Sequence, residues 1–270
     1  GSGAPTGILV YEGDLLPEPF HGQMIHAEPG RNVVWAFPIE KSGAGYTAKI
    51  KNLARSETDK KYRPSDVSVA PDGSLIIADW YDPVDCCHRT IDDTGRLFRV
   101  APPGHVYKVP KFDFETPEGA LKALRNPNLS ARHLAWNALQ KMGAKARPAL
   151  AAMAKDPNPR FRARALWLLA EIDGDPQAAI ALAAQDSVDD VRSLALRIAR
   201  RHRVPVEPVV ATLVRDPSAL VRRECAVSLH RLKSADATRL WVELARQHDG
   251  KDRWYLEALG IGEHKNESPC

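Results

Sequence analysis

The sequence predicts a β + α multidomain architecture, in which partial β-propeller blades precede an α-solenoid of helical hairpins. Three observations lead there. Short runs of alternating apolar residues, punctuated by Gly and Pro, fill the first 110 or so positions. A thirty-residue internal period organises the second half. The charge also changes sign: residues 126–246 hold 20 Lys/Arg against 12 Asp/Glu, which leaves 18 against 22 elsewhere from totals of 38 and 34. Halves of opposite sign are expected to attract each other, and a basic half suits an anionic partner.

The strands come first. In "PSDVSVAPDGSLIIADW", Val67 and Val69 alternate along one strand, Pro71-Asp72-Gly73 turns the chain, and Leu75 to Ala78 returns. Asp-Gly between alternating apolar runs is the strongest short hairpin signal. An earlier stretch, "GQMIHAEPGRNVVWAFPI", repeats the design: Gly22 leads to Ala27-Glu28 as Gly73 leads to Ala78-Asp79. Pro29-Gly30-Arg31 and the strand Val33 to Phe37 follow the first acid. A longer insertion, Gly95-Arg96 and the strand Leu97 to Ala101 follow the second. Two such units, about fifty residues apart and each with an acid at a strand end, read as propeller blades, with a β-sandwich as the alternative. Propellers typically need four or more blades, and residues 1–110 supply about two, so the chain is expected to be part of a larger protein. Residues 111–125, Pro-rich and with Thr116-Pro117 at a helix start, form the joint.

The helices follow. "NPNLSARHLAWNAL", "DPNPRFRARALWLL", "DSVDDVRSLALRIA" and "DPSALVRRECAVSL" begin at Asn126, Asp156, Asp186 and Asp216. Each carries an arginine six positions in (Arg132, Arg162, Arg192, Arg222) and a small residue nine positions in (Ala135, Ala165, Ala195, Cys225). Asp or Asn before Pro is expected to cap a helix whose first turn holds the Pro. Apolar residues at helical spacing make one buried stripe, and the small residue permits close approach. A hairpin of this kind cannot bury its own face, so the units must stack. The pattern resembles the HEAT-repeat family across residues 126–262, with a looser unit near 250 and a tail at 263–270. Cys225 then fills an alanine slot as a small buried thiol. The repeating arginines either brace the turn acids of neighbouring repeats or form a phosphate-binding ladder.

Composition is that of an ordinary globular chain, 44% hydrophobic and 27% charged, without 18 consecutive apolar residues or a signal-peptide pattern at the start. The four cysteines (Cys86, Cys87, Cys225, Cys270) form no disulfide framework and no C-x-x-C pair.

The order "GAPTGILVYEGDLLP", "RPSDVSVAPDGSLIIADWYDP", "GRLFRVAPPG" and then helical repeats is similar to the large secreted haem-binding dehydrogenase-like proteins of planctomycetes. That resemblance implies a sugar-dehydrogenase-like propeller, HEAT repeats, and haem c in a C-terminal cytochrome domain that this chain does not carry. It further implies a periplasmic or secreted location and a sugar- or alcohol-type ligand at the propeller mouth.

The segment "YDPVDCCHRTIDD" raises the question of chemistry. Covalent haem attachment needs two intervening residues between its cysteines, and Cys86-Cys87 has none. Adjacent thiols without a second pair do not complete a zinc tetrahedron. The loop is nevertheless an expansion on a rigid scaffold, where function concentrates. Its ligand-facing candidates, with the sibling unit's Glu28 and Arg31, are Asp79, Trp80, Tyr81, Asp82 and His88, and Asp79, Asp82 and Asp85 are candidate Ca²⁺ ligands. A solvated acidic loop in which His88 caps a turn is the structural alternative. In the resembling family the segment is a glycine-rich loop ending in His, so His88 matches and the cysteines depart from it.

Three functions compete. The first, implied by the resemblance, is an oxidoreductase-like parent protein in which His88 or a neighbouring acid takes a hydroxyl proton. No G-x-G-x-x-G or C-x-x-C-H motif supplies a cofactor site in this chain. The second is a HEAT-repeat protein–protein interaction module whose partner is another protein or a missing domain of its own. The third is nucleic-acid binding by the basic solenoid face, against which stands the lack of aromatic–basic interleaving.

Overall fold

The computed structural model describes residues 6–81 and 95–263. It divides into two units: the residues up to Glu40 with Thr47–Trp136, and Lys41–Tyr46 with the residues from Asn137 onward.

The first unit is mainly β-sheet. Strands β1 (Ile8–Val10), β2 (Met24–Glu28) and β3 (Val33–Phe37) lead to the hairpin β4 (Ile39–Ser42) and β5 (Gly45–Ala48), whose tip groups with the second unit. Strands β6 (Lys51–Arg55), β7 (Pro64–Val69), β8 (Leu75–Asp79) and β9 (Arg96–Val100) follow. They build a four-stranded antiparallel sheet, β1-β2-β3-β6, and a three-stranded one, β7-β8-β9. Alternation decides which faces meet. Ile25, Ala27, Val34 and Ala36 of the first sheet share a core with Val67, Val69, Leu75 and Ile77 of the second. Tyr11 locks this core: its hydroxyl donates to Gly73 O (2.8 Å) and accepts from Leu15 N and Leu16 N.

The β7–β8 turn closes with Ala70 N–H on Ser74 O, and Gly73 sits at φ +90°, a left-handed conformation that favours glycine. Gly22, its sibling before β2, has φ +72°. Both sheets are open, so the described residues form a β-sheet region rather than a closed propeller.

Helix α1 (Pro117–Leu124) starts at Thr116, whose hydroxyl accepts from Gly119 N, with Pro at the first position. Asn126 and Asn128, just before α2 (Leu129–Met142), donate their side-chain amides to Pro71 O and Val69 O.

The second unit is helical, continuing through α3 (Arg147–Met153), α4 (Pro159–Ile172), α5 (Gln177–Ala184), α6 (Asp189–Arg201), α7 (Glu207–Leu213), α8 (Ala219–Ser228), α9 (Ala235–Ala245) and α10 (Arg253–Glu263). The first helices of successive repeats start at Leu129, Pro159, Asp189 and Ala219, thirty residues apart. Ala165, Ala195 and Cys225 are fully buried. No helix among the described residues is long and apolar enough to cross a membrane.

One local expectation needs correction. The repeat aspartates are not the helix caps. Asn158, Val188 and Ser218 occupy the N-cap positions, and Asp156, Asp186 and Asp216 lie two residues earlier. Each aspartate instead accepts the N–H two residues on, at 2.8–2.9 Å, making an Asx turn. The Pro of "DP" belongs to that turn, not to the first helical position.

Candidate functional site

The acid at the end of β8 is the centre of a clasp. Asp79 Oδ1 accepts from Arg63 N (2.7 Å) and Tyr81 N (2.9 Å), and Oδ2 accepts from Arg96 Nε (2.8 Å) and Nη2 (2.6 Å). The residue is 3% exposed. Four donors occupy its lone pairs, so Asp79 is a structural clasp with no oxygen left for a cation or a ligand. Arg96 also reaches Asp59 Oδ2 at 2.9 Å. That hydrogen bond holds the Asp59 carboxyl below its usual range. Tyr81, at φ +53°, lays its ring against the Arg96 guanidinium, 3.8 Å from its centroid, with Lys61 at 5.6 Å. Trp80 is exposed beside it.

Glu28 does the equivalent task in the other sheet. Its carboxylate accepts from Gly30 N, two residues on, just as Asp79 accepts from Tyr81 N. The sibling arginine differs: Arg31 lies over the Trp35 ring at 5.8 Å. Arg31, Val33, Trp35, Asn52 and Arg55 line a surface pocket of about 450 Å³.

A second cleft, of about 440 Å³, opens beside the Asp79 clasp. Ala54, Ile77, Phe98 and Val100 make its apolar walls, and Arg55, Asp59, Tyr62, Arg96 and Arg99 contribute polar groups. Tyr62 packs edge-on against Phe98, centroids 5.9 Å apart. Burial, reinforced by the nearby Asp79 charge, pushes the Tyr62 phenol up to about 12, so it carries its proton throughout the ordinary pH range.

The structure therefore gathers Asp79, Trp80 and Tyr81 around Arg96, while Glu28 and Arg31 sit in the other sheet. Asp82, Asp85 and His88, together with Cys86 and Cys87, lie outside the described residues. Among the described residues no cluster of His, Cys, Asp and Glu forms a metal site. Sequence reasoning missed Asp59, Tyr62 and Phe98. Only the Gly95-Arg96 that follows Asp79 hinted at the clasp, because Asp59 and Tyr62 arrive from a segment without periodicity.

In the second unit the repeat arginines are structural partners. Arg162 Nε and Nη2 hold Asp186 (2.8 and 2.7 Å), while Nη1 reaches Asp156 O and Pro157 O of its own turn. Arg192 does the same with Asp216, Asp186 O and Ser187 O. Arg222 reaches Asp216 O and Pro217 O, and then meets the Tyr255 ring at 5.5 Å, since position 246 holds Arg instead of Asp. Arg132, in the first unit, pairs with Glu12 at 2.8 Å. Burial alone would raise the Asp186 carboxyl. The Arg162 guanidinium and the Val188 N–H outweigh it and hold the group below its usual range. Cys225 is a free, buried thiol that burial pushes up.

The same unit seats residues 41–46. Lys41 pairs with Asp189 and with Asp190 (2.9 Å), Ala44 N–H donates to Asp252 (2.6 Å), and Arg223 donates to Ala44 O (2.6 Å).

Two family models match the chain. Residues 2–104 match a domain of unknown function, DUF7133, and residues 117–199 match HEAT repeats. No curated protein matches. The N-terminal β-sheet region is thus similar to a domain of unknown function, and the helical region that follows is HEAT-like over residues 117–199.

Proposed function

We propose that the chain is a protein-interaction scaffold, with its β unit contributing two blades of a β-propeller. The observation that carries this is the ladder. Carboxylate–guanidinium pairs staple one helical hairpin to the next, and the braced stack still leaves large apolar side chains in solvent, among them Leu182 on α5 and Leu256 and Ile261 on α10. Rigid solenoids with apolar residues on an outer surface are suited to holding another protein. The four-stranded and three-stranded sheets, each ending in an acid-capped turn, support the blade reading of the β unit.

Nucleic-acid binding fares less well. Arg162 and Arg192, which a phosphate backbone would use, already hold carboxylates. The dehydrogenase-like role, its sugar- or alcohol-type ligand, haem c, Ca²⁺ and a periplasmic or secreted setting stay implications of the resemblance. Their base candidate, His88, falls outside the described residues.

The experiment is a comparison of proteins captured from the source organism by the wild-type chain and by Leu182→Glu and Leu256→Glu variants of equal melting temperature. The scaffold reading expects a defined partner, identified by mass spectrometry and then purified, whose binding at least one variant loses. A partner set indifferent to both substitutions would overturn it.

A further inference from the structure

We propose that the cleft between β6 and β9 is a binding site for a small organic acid, a carboxylate carried on a compact apolar body. This goes beyond the scaffold role and does not depend on it.

The volume comes first. About 440 Å³ lies in the range of small-molecule sites and accommodates a single ring with a short side chain. The apolar lining is Ala54, Ile77, Phe98 and Val100. Such a surface takes hydrocarbon, and the polar groups decide what else the ligand carries.

Two of those groups lack partners. Tyr62 is only 6% exposed, yet no described residue hydrogen-bonds its hydroxyl. The other deeply buried tyrosines behave differently: Tyr11 donates to Gly73 O and Tyr255 donates to Leu244 O. The Tyr62 hydroxyl is therefore free to donate to a ligand oxygen in the cleft. The second is Arg55, whose guanidinium meets no carboxylate among the described residues. Its neighbours are already engaged. Arg96 holds Asp79 and Asp59, and Arg99 reaches Asp72 (3.7 Å) and His105 O (2.9 Å).

The charge pattern then selects the ligand. A phenol that keeps its proton donates, and a guanidinium only donates, so the ligand must bring acceptors. Arg55 has no compensating acid, so the acceptor that satisfies it best is anionic. Arg55 is exposed and solvated, so what the ligand gains there is a charge-assisted bond: an amine would meet three arginines, and a neutral alcohol would gain no such bond. Asp59 does not invert this preference, because Arg96 neutralises it at 2.9 Å.

The test is calorimetric titration of the full chain with phenylacetate, using 2-phenylethanol as the neutral isostere. Phenylacetate is expected to bind at least about tenfold more tightly than the alcohol, one charge-assisted hydrogen bond's worth of discrimination. Arg55→Gln should weaken phenylacetate by about the same factor and leave the alcohol unchanged. Tyr62→Phe should weaken phenylacetate several-fold, while Arg31→Gln, on the neighbouring pocket, should leave it unaltered. Absence of phenylacetate binding would overturn the proposal. So would equal affinity for acid and alcohol, or binding that survives Arg55→Gln undiminished.

Discussion

Arg162 holds Asp186, twenty-four residues on, through two hydrogen bonds of 2.8 and 2.7 Å, and the same carboxylate accepts the Val188 N–H that shapes the next turn. One side chain thus folds its own turn and receives the preceding repeat. Because both partners are largely buried, removing either leaves a desolvated charge behind. Arg162→Ala or Arg192→Ala should therefore cost about 3 kcal/mol, read as a lower midpoint in urea. Arg162→Lys should recover only part, since an ammonium cannot form the fork. A midpoint unchanged by Arg162→Ala would show that packing alone joins the repeats.

The same pair makes stability depend on acid. The Asp186 carboxyl is held below its ordinary value, about 3.9 in an unfolded chain. A depressed carboxylate stabilises the fold fully above the unfolded value, and that contribution disappears as pH falls through the folded one. The melting temperature should hold down to about pH 4 and decline below it. Asp186→Asn should show a shallower decline. An equal slope in both proteins would assign the acid sensitivity to other carboxylates.

Asp79 supports a different part of the molecule. Asp79→Ala removes the acceptor of four hydrogen bonds and leaves Arg96 with Asp59 as its one remaining carboxylate among the described residues. A loss of about 3 kcal/mol is expected, with the change centred on the β8 end in hydrogen exchange. Added Ca²⁺ should not restore it or raise the wild-type melting temperature through this residue.

Tyr11→Phe isolates a single hydroxyl. It leaves Leu15 N, Leu16 N and Gly73 O without their partner inside a closed core. The cost should be about 2 kcal/mol, within the range for buried groups deprived of a hydrogen bond. A neutral outcome would mean that water replaces the phenol.

Cys225 should be inert. Its thiol is buried and pushed up by burial, so little thiolate forms. Peptide mapping after iodoacetamide treatment of the folded chain should leave it unmodified. Cys225→Ala, the residue that Ala135, Ala165 and Ala195 supply in other repeats, should melt within a few degrees of wild type, whereas Cys225→Leu should overpack by about 1–3 kcal/mol.

Much of the helical region was legible because its information is local and repeated. The 3.6-residue apolar stripe, the thirty-residue period and the small ninth residue follow from constraints that every hairpin faces anew, so Leu129, Pro159, Asp189 and Ala219 each open an equivalent helix. The β7–β8 hairpin was legible for the same reason, since Asp72-Gly73 dictates the turn and alternation dictates the buried face. Pairing between distant segments was not. Beyond Gly95-Arg96, nothing near Asp79 announces Asp59 or the Arg63 backbone N–H, and only folding brings these groups together around Arg96 and Asp79. Nor does periodicity distinguish Arg55, without an acid, from Arg96, which has two. By itself the sequence determined the elements and their repetition. The tertiary structure decided which polar groups satisfy one another and which are left facing a cleft, because that depends on positions in space that local propensity does not encode.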